Sequence, residues 1–169
     1  MKKSVRYAIA AITAFMFAVV IIPAVSLCMI FPNKYASNIA EAADEFDLPR
    51  SLVKSVVWAE SRFDPKATSN KGAKGLMQIM PDTFKECVAA LGLPRDSDVY
   101  DVNTSLRCGC YYLSLLIDKF DGDTTAALMA YNAGEVNARK FLDGAEVFPE
   151  TQGYLKSINK AQKIYGLFG

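Results

Sequence analysis

An all-α domain behind one apolar N-terminal span is the fold class that this chain of 169 residues predicts. Three observations lead there. After Pro32, apolar residues recur at steps of three and four, the period of a helix with one buried face. No segment alternates apolar and polar residues as a half-buried strand would. Ahead of Pro32, Tyr7 to Phe31 runs about 25 residues without a charge, long enough to cross a bilayer as a helix.

Taken in order, residues 1–6 are a basic N-terminus carrying Lys2, Lys3 and Arg6. Residues 7–31 follow as a transmembrane anchor or uncleaved signal. The stretch exceeds the roughly 7–15 apolar residues of a cleaved signal and ends on bulky Leu27-Cys28-Met29-Ile30-Phe31 rather than small residues. Leu27 is too large for lipoprotein processing at Cys28. The basic flank puts residues 1–6 in the cytoplasm and 32–169 on the extracytoplasmic side of a cell membrane. Ser37 to Leu48 reads as a helix with Ile39, Ala40, Ala43 and Phe46 at helical spacing. Pro49 suits the first turn of the next helix, where Val53, Val56, Val57 and Glu60 share a face. Phe63-Asp64-Pro65 ends it, and residues 66–74 form a polar loop. Pro81-Asp82-Thr83 opens a helix to Leu91, with Gly92 as its stop. Asn103 or Thr104 caps a long helix to Phe120. Its residues Leu106, Cys110, Leu113, Ile117 and Phe120 form one stripe, and Cys108, Tyr112 and Leu115 lie on the other side, the pattern of a central core helix. Asp123 caps Thr124 to Tyr131, and helices from Glu135 to Leu142 and Glu150 to Tyr165 complete the chain.

Composition narrows the chemistry. Without Lys2, Lys3 and Arg6 the balance is 16 basic to 18 acidic residues, so no basic face invites nucleic acid. The chain has no histidine, which removes the usual zinc ligand and the usual base of a serine or cysteine triad. Cys108 and Cys110 are two apart on a helix, so their side chains diverge. Cys87 can pair with either in an oxidising compartment, or all three are small buried residues; both readings stand.

Glu60 is the residue that carries chemistry. Burial at the end of an apolar stripe disfavours ionisation, and a carboxyl that keeps its proton near neutral pH can protonate a leaving-group oxygen. Glu60-Ser61 is followed by Ser69, Gly72-Ala73 and Gly75-Leu76-Met77-Gln78-Ile79-Met80-Pro81, and later by Ala130-Tyr131-Asn132-Ala133-Gly134. In order and spacing these blocks resemble lytic transglycosylases of the soluble (Slt) type, over most of residues 32–169.

That resemblance implies a lysozyme-like helical domain whose cleft holds peptidoglycan glycan strands. It implies cleavage of the MurNAc–GlcNAc β-1,4 bond without water. The muramic acid C6 hydroxyl attacks its own C1 and leaves a 1,6-anhydro end. Glu60 is then the acid and afterwards the base. A second carboxylate, needed by most glycosidases as nucleophile or base for water, is not required, and Asp64 before Pro65 reads as a helix stop. By the same resemblance Gln78 and Met80 line sugar subsites, Ser69 lies near the acid, and Tyr131 hydrogen-bonds near Glu60 or the substrate's N-acetyl group. Asn132 supports the fold more than it touches sugar. Glu150 contacts substrate or Tyr131, or is simply an acid that starts a helix. Two departures stand out: Gln152 where an arginine is common, and Glu135-Val136 where Pro-Gly is common. No metal and no organic cofactor is implied, and the expected partners are glycan strands and the bacterial membrane, with the protein a monomer. A hydrolytic muramidase on the same fold, a non-enzymatic glycan-binding or scaffolding module, and an unrelated helical membrane protein are the competing readings.

Overall fold

The computed structural model describes residues 3–21 and 29–167. Two compact units divide at residues 33 and 34. In the first, α1 (Lys3–Met16) runs into a single π-helical stretch, Phe17–Ile21. Side chains such as Ile12, Phe15, Phe17 and Val19 stand exposed along it. Residues 22–28 of the expected span 7–31 lie outside the described residues. Among the described residues no helix is long and apolar enough to cross a membrane.

The second unit holds α2 (Ala36–Glu45), α3 (Arg50–Ser61), α4 (Pro81–Ala90), α5 (Val102–Lys119), α6 (Thr124–Ala133), α7 (Glu135–Leu142) and α8 (Pro149–Tyr165). The only β pairing among the described residues is isolated, Thr68 with Lys74 and Lys74 with Ile79. The all-helical expectation therefore holds for them.

Helix α3 is the buried spine beside the site. Leu52, Val53, Val56 and Val57 are almost wholly excluded from solvent, each worth about 1.5–3 kcal/mol of apolar burial. The helix packs chiefly on α8. It stops where Arg62 and Phe63 adopt left-handed backbone, with φ of 54° and 62°. The Arg62 guanidinium covers the Trp58 ring at 3.4 Å from its centre, and Phe63 is buried edge-on to Tyr165.

Helix α5 is the central helix, packed against α2, α4 and α6. Its cap differs from expectation. Asp101, not Asn103 or Thr104, sits at the N-cap and accepts the Thr104 N–H at 2.9 Å. A short carboxylate just before the first turn reaches the orphan N–H groups that residues already inside the helix cannot. The stripe also differs: Leu116 is buried, Ile117 half-buried and Leu115 exposed. Leu113, Leu116 and Phe120 are the steps of three and four that face the core. Gly109 lets the Met77 side chain lie directly on the α5 backbone, since a Cβ there would overlap it. Cys87, Cys108 and Cys110 are free and buried. The Cys87 and Cys108 thiols lie close enough to shift each other's acidity in opposite directions, while burial pushes the Cys110 thiol up to about 12.

Candidate active site

Glu60 occupies the last turn of α3, where the negative end of the helix dipole already disfavours a carboxylate. Burial is the larger effect and raises its pKa from 4.5 to about 7. The Tyr154 hydroxyl opposes this by favouring the ionised form. Tyr154 comes from α8, brought to Glu60 by the packing of α3 on α8. Its hydroxyl oxygen is buried and has no partner within strict hydrogen-bond geometry. It lies close enough to stabilise the carboxylate but makes no tight bond to it. Its own pKa is held well above 10, first by burial and then by the Glu60 charge.

The carboxylates considered from the sequence do not join Glu60. Asp64 is exposed and accepts the Lys66 N–H at 2.9 Å, which fixes the turn after α3. Glu150, also exposed, faces Lys71 at 3.5 Å. Glu60 is therefore an acid tuned by desolvation and one phenol.

The loop between α3 and α4 is tied by its own backbone. Lys74 and Ile79 exchange N–H···O bonds of 3.0 Å each, and the Gly75 N–H meets the Ala67 carbonyl at 3.0 Å. Gly75 has a φ of +77°, and a Cβ on it would strike the Val99 carbonyl and the Ser105 hydroxyl. Gln78 takes the left-handed region without being glycine, at φ 49°, a conformation that carries strain for a side-chain-bearing residue. Its amide repays the loop by donating to the Ala67 and Gly75 carbonyls at 3.1 and 3.0 Å. Ser69 Oγ accepts the Ala73 N–H at 3.0 Å. Met80 stays exposed at the N-cap of α4.

Tyr131 donates its hydroxyl to the Met77 carbonyl at 2.8 Å. It leans on Tyr112, with ring centres 5.4 Å apart. Burial raises its pKa well above 10, and the Glu60 charge adds to this, so the ring is an electrostatic neighbour of the acid while its proton holds the loop. Asn132 accepts from the buried Thr151 hydroxyl at 2.9 Å, joining α6 to α8. Gln152 is exposed and donates to the Val147 carbonyl at 3.0 Å. Glu135 opens α7 directly after Gly134 and pairs with Lys119 at 2.6 Å.

Tyr154 is the site residue that sequence reasoning passed over. It lies four residues past Glu150, one helical turn on, and its approach to Glu60 depends on the packing of α8 on α3.

Comparison with known proteins shows the family. A family profile described as the transglycosylase SLT domain matches residues 37–150. The soluble lytic murein transglycosylase of Escherichia coli (strain K12) is 29% identical over 153 residues, 82% of this chain and 24% of that protein. A peptidoglycan transglycosylase of Escherichia phage T7 is 33% identical over 138 residues, 75% of this chain and 10% of that protein. The chain thus spans a quarter or less of the length of these relatives. The X-ray structure of an inactive mutant of lytic transglycosylase Slt from Pseudomonas aeruginosa superposes with a TM-score of 0.79 at 30% identity, covering 83% of this chain and 25% of that one. The profile covers well over half of the chain, and its bounds enclose Glu60, the loop and Tyr131: the chain belongs to the transglycosylase SLT domain family.

Proposed function

We propose that this protein is a peptidoglycan lytic transglycosylase that cuts the MurNAc–GlcNAc β-1,4 bond and leaves 1,6-anhydroMurNAc ends. The observation that carries the proposal is Glu60, held to a pKa of about 7 by burial with no carboxylate partner among the groups that shift it. A single acid that is half protonated near neutral pH suits a reaction in which the substrate supplies its own nucleophile. Glu60 donates its proton to the glycosidic oxygen as the bond to C1 breaks. The C6 hydroxyl of the muramic acid closes on C1, and the Glu60 carboxylate takes the hydroxyl proton. The acid is restored and no water is consumed. Tyr154 moderates the acidity of Glu60 in both half-reactions.

In this reading Gln78, Met80 and Ser69 border the sugar subsites and Glu150 stands at their rim with Lys71. Tyr131 and Asn132 act mainly by holding the loop and α8 in register. Residues 7–31 anchor the catalytic unit to a cell membrane, with residues 1–6 in the cytoplasm and residues 32–169 on the outer side facing glycan strands. The uncharged run and its basic flank support this placement.

The test is mass spectrometry of purified peptidoglycan digested by the wild type beside Glu60→Gln. Wild type yields anhydro-muropeptides, and Glu60→Gln yields none above background. Reducing ends alone would show hydrolysis and refute the lytic route. Near wild-type release by Glu60→Gln would remove Glu60 from the chemistry.

A further inference from the structure

Cys87, Cys108 and Cys110 are buried thiols that the chemistry proposed for Glu60 does not use. Two of them face each other across a helix contact. Cys87 and Val88 are the buried residues of α4, and α4 packs on α5. Cys87 borders a cavity of about 260 Å³ that Tyr111, Tyr112 and Leu115 of α5 also line. Its side chain therefore looks toward that side of α5, and Tyr112 senses its charge. Cys108 precedes Tyr111 and Tyr112 by three and four residues, one helical turn, so it shares their face. It is wholly buried there.

Cys110 points elsewhere. Two residues further on, it is turned about 200° around α5. The charge that it senses is Glu45 of α2, another helix packed on α5. Cys87 and Cys108, by contrast, act on each other. The Cys108 thiol holds Cys87 below the ordinary thiol range, while Cys87 and burial push Cys108 up. Cys87 is thus the readier thiolate, and the thiolate is the nucleophile. It is also the one of the two that lines the cavity.

We propose that Cys87 and Cys108 are a redox pair that closes to a disulfide between α4 and α5, with a disulfide-bearing oxidant as co-reactant. The Cys87 thiolate attacks one sulfur of the oxidant and forms a mixed disulfide. One thiolate of the oxidant leaves and takes up a proton. Cys108 then gives up its proton, and its sulfur attacks Cys87 Sγ. The second thiolate of the oxidant leaves and takes that proton. The two cysteines lose two electrons, and the oxidant becomes two thiols.

The bond fastens the supports of the loop beside Glu60. Helix α4 starts directly after Gln78, Ile79 and Met80. Gly109, next to Cys108, seats Met77. The oxidising compartment rests on the placement of residues 32–169 outside the membrane proposed above. The bond itself forms in the purified chain whether or not that placement or glycan cleavage holds, so the two failures are distinguishable.

The experiment uses the full chain carrying Cys28→Ser, which leaves these three cysteines. It is equilibrated in maltoside detergent with mixed reduced and oxidised glutathione, quenched by alkylation and digested with trypsin without reductant. Trypsin cuts after Arg95 and Arg107, which puts Cys87 in one peptide and Cys108 with Cys110 in another. The two peptides are expected to be linked in Cys110→Ser and separate in Cys108→Ser. Oxidation should raise Tm by about 5 °C or more, a rise that Cys108→Ser loses. No link in the native chain, at a glutathione ratio that links the guanidinium-unfolded chain, overturns the proposal. A link from Cys87 to Cys110 overturns it too, as does a Tm that oxidation leaves unchanged or lowers. Should Cys108→Ser fail to fold, fragmentation of the linked peptides from the parent chain locates the sulfur joined to Cys87.

Discussion

Replacing Glu60 by glutamine should stabilise the protein, and more so as pH rises. The native carboxyl has a pKa of about 7 against 4.5 unperturbed. Below pH 4.5 both native and unfolded chains hold the proton, and the group leaves stability unchanged. Between 4.5 and about 7 the unfolded chain releases a proton that the native state retains, so stability falls with rising pH. Above about 7 the loss is complete, at about 3 kcal/mol. Glutamine mimics the protonated carboxyl and escapes this loss. Because Glu60 keeps some solvent contact, a realised gain of about 1.5–3 kcal/mol is expected at pH 8 and close to none at pH 4.5. That is roughly 5–10 °C in Tm for a unit of this size. Urea unfolding of the full chain in maltoside, wild type against Glu60→Gln at pH 4.5, 6 and 8, measures it. A gap that is constant across pH, or one that narrows toward pH 8, refutes the assignment of a neutral buried carboxyl.

Other outcomes follow from the same geometry. Tyr154→Phe removes the hydroxyl that favours the ionised Glu60, so its pKa rises further. The alkaline limb of the pH–rate profile for anhydro-product release should move up by about half to one pH unit; an unmoved or lowered limb would separate Tyr154 from the acid. Tyr131→Phe strands the Met77 carbonyl and should lower stability by about 1–2 kcal/mol in denaturant unfolding, with no displacement of the pH limb. Gly109→Ala drives a methyl into Met77 and should cost about 1–3 kcal/mol. Adding Met77→Ala should restore part of it, and strict additivity in that double-mutant cycle would deny the contact.

What could be read from the chain was what is local. The stripe of Val53, Val56 and Val57 placed Glu60 at the end of a buried face because helical periodicity acts within a few residues. Gly92 and Asp123 marked helix ends for the same reason. The pairing of Glu60 with Tyr154 was not legible, because it depends on α8 docking against α3, a contact between distant stretches with no sequence signature of its own. Tyr131 illustrates the limit from the other side. It was expected to hydrogen-bond near Glu60 or the substrate's N-acetyl group, and its proton goes to the Met77 carbonyl. A loop carbonyl offers no side-chain pattern to read. Asn132 was expected to support the fold, and its bond to Thr151 shows through which partner. The cap of α5 went to Asp101 although Asn103 and Thr104 close by have similar capping ability, and only backbone geometry chooses among them.

The distance along the chain between Glu60 and Tyr154 has a consequence for biogenesis. Until α8 seats itself against α3, Glu60 faces water and has the ordinary acidity of a glutamate, ionised at neutral pH and without a proton to give. A partly folded chain next to the wall it is proposed to cut would therefore be inert. Seating of α8 on α3 is thus one of the contacts that arm the acid, and a chain without it carries an ordinary glutamate.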